Sequence, residues 1–250
     1  MATIDELRDR RSVRAYTDEP ISADDERAII QAAFEAPTAG NQQLYSLIVV
    51  RDQALKERLA VVCDNQPFIA RAKLVIIYVA DLSRWYDAFL AEGLDVRTPG
   101  PGDMALAVVD TAIAAQNAVV AAESLGIGSC YIGDIMENYE ELVRMLDLPP
   151  YVFPAVMTVF GHPTQQQLER TKPPRFAYED MVGENSYLHI SGDRLSKMMG
   201  AKIGVPGRDR NLEAFAKRKW SDDFSVELNR SVCAMIRTLT DYDTEPGDAR

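Results

Sequence analysis

The sequence predicts an α+β fold, a sandwich of helices and sheet that forms one domain over residues 1–250. Two observations carry this prediction. Four short runs rich in β-branched residues indicate buried strands, and segments with helical periodicity separate them. Alternation of this kind packs helices against a sheet. With 47% apolar residues, the chain is long enough to bury a sizeable core, which we expect at about residues 5–190, with a C-terminal extension at about 191–250.

The predicted strands are residues 46–50, 74–79, 129–132 and 152–160. The helices between them follow from capping and proline signals. Residues 3–9 indicate a short helix, and Ser22 is a candidate N-cap for the next one. That helix ends near Ala36, because Pro37 disfavours helix in the residue before it. Further helical signals of this half lie at residues 53–63 and 85–89.

The longest predicted helix covers residues 104–125. It is rich in Ala and Val and carries few charges, which places it in a core or a subunit interface. Asn138 is expected to cap a helix that runs through Leu146. The extension is expected to hold helices near 191–200 and 222–240, with a Gly/Pro/Arg loop at 203–211.

The charge balance limits the partners. A net charge of −11 argues against nucleic acids and anionic membranes, which require a basic face. The N-terminus lacks a signal-peptide pattern and polar residues interrupt the apolar stretch 105–125, so we expect a cytoplasmic protein. His162, His189 and three widely spaced cysteines give no metal site or disulfide framework.

Residues 10–14 form an unusual basic cluster in this acidic chain. Arg10, Arg11 and Arg14 supply three guanidinium groups, and Ser12 adds a hydroxyl. Guanidinium donors match the oxygens of a phosphate, so the cluster indicates an anion site for a phosphate-bearing cofactor. Taken alone, these five residues favour the simpler interpretation, a solvated basic cluster before a loop.

Residues 37–43 form a second candidate region, the amide loop. Its Asn41, Gln42 and Gln43 both donate and accept hydrogen bonds, as the imide edge of a heterocycle requires. An ordinary loop whose amides bond their own backbone is the alternative. The chain has no dinucleotide-binding or phosphate-loop glycine motif. Arg175 adds a further basic point, and this set suits a protein in which an organic cofactor performs the chemistry.

These segments together resemble the flavin-dependent nitroreductase family, in particular its branch of NADPH-preferring, oxygen-insensitive nitroreductases and flavin reductases. The resemblance covers residues 5–190. The motifs that carry it are Arg10-Arg11-Ser12-Val13-Arg14, Pro37-Thr38-Ala39-Gly40-Asn41-Gln42-Gln43, Asp110-Thr111-Ala112, Gln116-Asn117-Ala118, Ala122-Glu123-Ser124-Leu125-Gly126, Gly128-Ser129-Cys130-Tyr131-Ile132-Gly133, Glu184-Asn185-Ser186-Tyr187 and Trp220-Ser221.

The resemblance implies a three-layer α/β/α sandwich with a mixed central sheet and a homodimer with two FMN sites across the subunit interface. It assigns the phosphate to Arg10, Ser12 and Arg175, and the redox end of the flavin to Arg14 as electrostatic support. The remaining residues implied to bind the cofactor are Arg11, Thr38, Ala39, Asn41, Gln43, Gln66, Tyr131, Ile132, Gly133 and Lys172. The flavin itself carries the hydride, so no side chain is a catalytic residue and no metal is expected.

The implied activity is that of an FMN-dependent NAD(P)H oxidoreductase. NADPH or NADH reduces the flavin, and a nitroaromatic, a quinone or free flavin then takes two electrons in a ping-pong mechanism. Candidates for the NAD(P)H phosphate are Arg208, Arg210 and Lys217. A flavin-binding carrier or sensor without enzymatic activity is an alternative on the same fold. A flavin-free helical scaffold is a further alternative, although it leaves residues 10–14 without a ligand.

Overall fold

The computed structural model describes residues 3–203 and 211–240 and shows the predicted α+β architecture. Its strands are β1 (Tyr45–Val49), β2 (Leu74–Asp81), β3 (Gly128–Ile132) and β4 (Val152–Gly161). Its α-helices are α1 (Thr3–Asp9), α2 (Ala23–Phe34), α3 (Gln53–Val62), α4 (Phe68–Arg71), α5 (Ser83–Ala91), α6 (Pro101–Ser124), α7 (Tyr139–Leu146), α8 (Gln165–Glu169), α9 (Gly192–Ile203), α10 (Leu212–Trp220) and α11 (Asp223–Thr240).

The four strands form one sheet in the order β1-β2-β4-β3. Every pairing between these strands is antiparallel. Within the described residues, the parallel pairing is a single bridge between Ser12 and Ser129 at the free edge of β3. The expected mixed character of the sheet therefore rests on the N-terminal segment, which lies beside β3 without forming a regular strand.

Strand β2 shows why the sheet is covered on both faces. All of its residues are buried. Alternate side chains of a strand point to opposite faces, and Ile76 and Tyr78 pack with α2 and α6 while Val75 and Ile77 pack with α3, α4 and β3. The helices therefore form a layer on each side of the sheet, which gives the three expected layers. The unbroken apolar run of β2 reflects this double burial.

Two helix starts differ in how they are capped. Ser22 accepts a hydrogen bond from the backbone N–H of Asp25 at 3.0 Å, as the sequence predicts. Asn138 precedes α7, but its side chain makes no capping bond. Its amide instead donates to the carbonyl oxygen of Val62 at 3.0 Å. The expected cap at Asn138 is wrong because its backbone adopts a left-handed conformation, with φ of 49°.

The chain forms two compact units. The first combines Met1–Glu169 with Glu227–Arg250, and the second is Arg170–Val226. The larger unit contains the sheet and, at its C-terminal end, Met235 and Leu239 of α11, which are buried in a core cluster with Phe153. The interpretation as one domain with a core at residues 5–190 stays a prediction.

Helix α6 has a buried side and an apolar exposed side. Its buried side packs against α2 and the sheet through residues such as Ala115, Ala118 and Ala122. On the other side, Leu106 is 50% exposed and Val109 is 54% exposed. Among the described residues, α6 is the helix long and apolar enough to cross a membrane by length and composition, and 44% of its apolar window is buried. Its packing is that of a core helix of the first unit.

Candidate functional site

The N-terminal segment is fixed along the free edge of β3. The backbone N–H of Val13 donates to the carbonyl oxygen of Ser129 at 2.8 Å, and that of Thr17 donates to the carbonyl oxygen of His162 at 2.9 Å. Val13 is buried, and a Cβ atom at Gly128 would lie only 2.5 Å from its side chain. Gly128 is therefore required for this close approach, and the approach carries the basic cluster to β3.

The arginines of this cluster differ in their partners. Among the described residues, Arg51, Arg84, Arg97, Arg194 and Arg230 pair with carboxylates, whereas the ion pairs of the structure include neither Arg10 nor Arg14. Two cations without a carboxylate partner in a chain of net charge −11 are available to an anionic ligand.

Arg14 and Arg10 reach different parts of the site. The guanidinium carbon of Arg14 lies 5.7 Å from the centre of the Phe68 ring, at the start of α4. Arg10 lies close enough to Tyr131 for its positive charge to lower the pKa of that phenol, although burial has the larger effect and raises the pKa to about 12. The basic cluster thus connects α4 with the end of β3.

Arg11 makes local contacts instead. Its guanidinium donates to the carbonyl oxygen of Asp9 at 3.3 Å and to that of Leu168. The backbone N–H of Arg14 donates to the amide oxygen of Gln167 at 3.1 Å. Helix α8 therefore holds the segment from its other side. The role of Arg11 as a cofactor ligand stays a prediction. In the structure, its guanidinium helps to hold the N-terminal segment in place.

The end of β3 offers room for a ring. Tyr131 is 37% exposed, and its hydroxyl donates to the amide oxygen of Gln116 at 3.2 Å. Ile132 is buried, and no described protein atom beyond the adjoining residues lies within 4 Å of the position of a Cβ atom at Gly133. Gln66 precedes Phe68 by two residues and donates to the carbonyl oxygen of Cys63 at 2.9 Å. Residues 10–14, 66–68 and 131–133 therefore belong to one region.

The amide loop is fixed elsewhere in the first unit, on α6. Asp110 is 2% exposed. It accepts hydrogen bonds from the Thr38 hydroxyl, from the backbone N–H of Ala39 at 3.0 Å and from that of Leu44 at 3.3 Å. These contacts hold Asn41 and Gln43 at positive φ angles of 58° and 51°. Asp110 therefore fixes the conformation of the amide loop. In the sequence, a carboxylate within an otherwise apolar helix is the signal that could have identified this residue.

The other predicted basic residues lie in the second unit or outside the described residues. Arg175 is exposed, and Lys172 is half-buried. Lys217 is exposed in the last turn of α10. Arg208 and Arg210 fall outside the described residues. Their roles toward FMN and NAD(P)H stay predictions.

A buried acid lies just beyond the region of β3. Glu137 is 4% exposed, and one of its carboxyl oxygens has no hydrogen-bond partner in the described protein. Burial, followed by the negative charges of Asp134, Asp64 and Glu227, raises the pKa of Glu137 to about 8. Sequence reasoning missed this group because no pattern distinguishes it from the many surface carboxylates. This raised pKa favours the protonated form of the Glu137 carboxyl at neutral pH.

The fold and the site define a class of protein. An α/β/α sandwich carries Arg10 and Arg14, which have no carboxylate partner among the described residues, beside Ser12 and close to the end of β3, and this donor set suits a phosphate-bearing planar cofactor. The sequence matches the nitroreductase family over residues 7–162. The chain belongs to the nitroreductase family.

Relatives and solved structures agree with this assignment. The chain is 36% identical over 241 residues to the FMN reductase [NAD(P)H] of Bacillus subtilis (strain 168), covering 94% of each protein. It is 36% identical over 195 residues to the oxygen-insensitive NADPH nitroreductase of Salmonella typhimurium, covering 78% of each. The structure of B. megaterium NfrA2 aligns with a TM-score of 0.80 and 29% identity, over 92% of this chain and 96% of that one.

Proposed function

We propose that this protein is an FMN-dependent NAD(P)H oxidoreductase that reduces nitroaromatics, quinones or free flavin by a ping-pong two-electron mechanism. The observation that carries the proposal is the arrangement of Arg10, Ser12 and Arg14 along β3. The names of the relatives, an FMN reductase and an NADPH nitroreductase, support the same activity.

Each residue of the site contributes binding or charge. Arg10 and Ser12 would hold the phosphate of FMN, and Arg14 would supply positive charge near the redox end of the ring. Tyr131, Ile132 and Gly133 would lie against the ring of bound FMN, where the open space beyond Gly133 would allow close approach. Bound FMN would supply the hydride chemistry. Orientation and electrostatics are the contribution of the protein.

Residues of the second unit complete the proposal. Arg175 and Lys172 are further candidates for binding the phosphate of FMN. Lys217, Arg208 and Arg210 are candidates for the phosphate of NAD(P)H. The protein acts in the cytoplasm on small aromatic acceptors, and its net charge of −11 disfavours nucleic acids and membranes.

The test is spectroscopic. The purified protein, reconstituted with FMN if necessary, is expected to show the absorption bands of bound flavin. Addition of NADPH or NADH is expected to bleach these bands within seconds, and a nitroaromatic acceptor should restore them. Flavin that binds but is not bleached would identify a carrier or sensor instead. A protein that cannot be loaded with FMN would contradict the proposal outright.

We further propose that a second copy of this chain covers the exposed side of α6 and that the amide loop of one copy serves the cofactor of the other. The apolar stripe around Leu106 and Val109 supports this arrangement. The opposite side of α6 is buried in the core, whereas these two apolar side chains are exposed to solvent in the single chain. Obligate dimer interfaces resemble a core cut in half. The amide loop is bound to Asp110 of the same helix, so a dimer formed through α6 would bring the loop of one copy toward the cofactor of the other.

Val109→Arg is expected to convert the dimer to monomers, because a buried guanidinium without a partner opposes association. The measurement is the molar mass in solution by light scattering. Val61→Arg is the matched control, since Val61 is a similarly exposed helical valine at 63%, and this variant is expected to stay dimeric. A wild-type chain that is monomeric at micromolar concentration would reject the arrangement.

A further inference from the structure

Lys202 contacts both residues that flank Arg175, and all four residues lie within the second unit. It is half-buried in the last turn of α9. Its ammonium group donates a hydrogen bond to the carbonyl oxygen of Pro174 at 2.8 Å. The same nitrogen atom lies 4.6 Å from the centre of the Phe176 ring, which is a cation–π contact. One side chain of α9 therefore holds the chain immediately before and immediately after Arg175.

The side chain of Arg175 itself stays uncommitted. It is exposed and makes no hydrogen bond or ion pair with the described residues. A second arginine, Arg194 of α9, is engaged: it donates to the carbonyl oxygen of Glu179 and pairs with the carboxylate of Asp180 at 3.2 Å. Helix α9 therefore holds the segment that follows Arg175 at a further point. The Arg175 guanidinium is left available to an anionic ligand.

The backbone at Arg175 is restricted on its N-terminal side. Two consecutive prolines, Pro173 and Pro174, precede it. Proline fixes its own φ and restricts the residue before it to extended conformations, so the chain reaches Arg175 with little freedom. The carbonyl that Lys202 binds belongs to the planar peptide group that joins Pro174 to Arg175, so this hydrogen bond orients that group. A cation is also favoured at the C-terminal end of a helix, which helps to keep Lys202 in place.

We propose that Lys202 is a positioning residue for FMN, which acts by holding Arg175 in place for the phosphate. The inference rests on the proposed function, in which Arg175 is a candidate for that phosphate. A guanidinium binds phosphate oxygens at two points only in a defined orientation. Because Lys202 orders the chain on both sides of Arg175 beforehand, less affinity is lost to ordering when FMN binds. Lys202 needs no contact of its own with the phosphate.

The experiment is a fluorescence titration of the full-length protein, freed of flavin, with FMN and with riboflavin, which lacks the phosphate. Lys202→Met is expected to weaken FMN binding about tenfold, because Arg175 must then be ordered by the ligand. Riboflavin affinity should stay that of the wild type. Lys197→Met is the matched control, since Lys197 is an exposed lysine of the same helix, and it should change neither affinity.

A double variant shows whether Lys202 acts through Arg175. Arg175→Ala is expected to weaken FMN binding about 30-fold, because a charge-assisted bond to the phosphate is lost. The variant that combines Arg175→Ala with Lys202→Met should bind FMN no more weakly than Arg175→Ala alone. Additive losses would overturn the proposal, because Lys202 would then act without Arg175. Equal weakening of FMN and riboflavin by Lys202→Met would overturn it as well.

A milder variant guards against loss of folding. Phe176→Leu removes the ring beneath the Lys202 ammonium but keeps an apolar side chain, and it is expected to weaken FMN binding about threefold without affecting riboflavin. Wild-type affinity for FMN in both Lys202→Met and Phe176→Leu would overturn the positioning role and leave the proposed function intact. A wild-type protein that binds no FMN would instead overturn the proposed function, and this inference with it.

Discussion

Arg14→Ala is expected to slow the reduction of bound FMN by NAD(P)H about 100-fold. The reduced cofactor gains negative charge, and the Arg14 guanidinium is a positive charge that no carboxylate of the described residues neutralises. Removing it raises the free energy of the charged product and of the transition state that leads to it. Stopped-flow absorbance under anaerobic conditions measures the rate directly.

The potential of the flavin separates this electrostatic role from loss of binding. We expect the midpoint potential of Arg14→Ala to become more negative and that of Arg14→Lys, which keeps the charge, to lie between the variant and the wild type. Arg27→Ala removes an exposed arginine of α2 and serves as the matched control. An unchanged potential in Arg14→Ala would assign Arg14 to phosphate or structure rather than to the redox end.

Glu137→Gln is expected to stabilise the protein at alkaline pH by about 4 kcal/mol relative to the wild type. The pKa of Glu137 is raised to about 8 in the folded protein from an ordinary value of 4.5. Between these values the folded state retains a proton that the unfolded chain releases, so the contribution of this group to stability falls as the pH rises. Glutamine stays neutral and avoids the loss.

Urea unfolding at pH 5 and pH 9 provides the measurement. The glutamine variant should match the wild type at pH 5 and exceed it at pH 9. Glu140→Gln is the matched control, because the pKa of Glu140 is lowered by its bond with Arg230 and should give no gain at alkaline pH. Parallel stability curves for Glu137→Gln and the wild type would show that Glu137 is ionised in the folded protein at neutral pH.

Much of the fold could be predicted because its signals are local. Composition alone identifies β2 as a buried strand, because its apolar run is unbroken. It also identifies α6 as a helix, because its stretch of Ala and Val is long. Helix α4, with four residues, is shorter than the window in which helical periodicity can be detected. The order of the strands depends on packing between distant segments, and local pattern does not encode it. Asn138 shows the same limit, since its amide bonds a carbonyl 76 residues away.

Part of the candidate site could be proposed from the sequence because its charge differs from that of the surrounding chain. The cluster at Arg10–Arg14 is conspicuous in an acidic chain, and the structure pairs Ser12 with Ser129 of β3 and brings Arg10 near Tyr131. Contacts made through the backbone carry no such signal. The amide oxygen of Gln167 accepts a hydrogen bond from the N–H of Arg14, and Asp110 accepts hydrogen bonds from two N–H groups of the amide loop. These contacts join residues that are far apart in the sequence, so only the structure shows them.

The second unit is an insertion between two segments of the first unit. The second unit, Arg170–Val226, leaves the first unit and returns to it, because α11 brings Met235 and Leu239 back into the core. The entropic cost of closing a chain segment between two fixed ends rises only slowly with the length of the segment. The length and sequence of Arg170–Val226 can therefore change with little effect on the packing of the sheet, whose four strands all lie in the first unit.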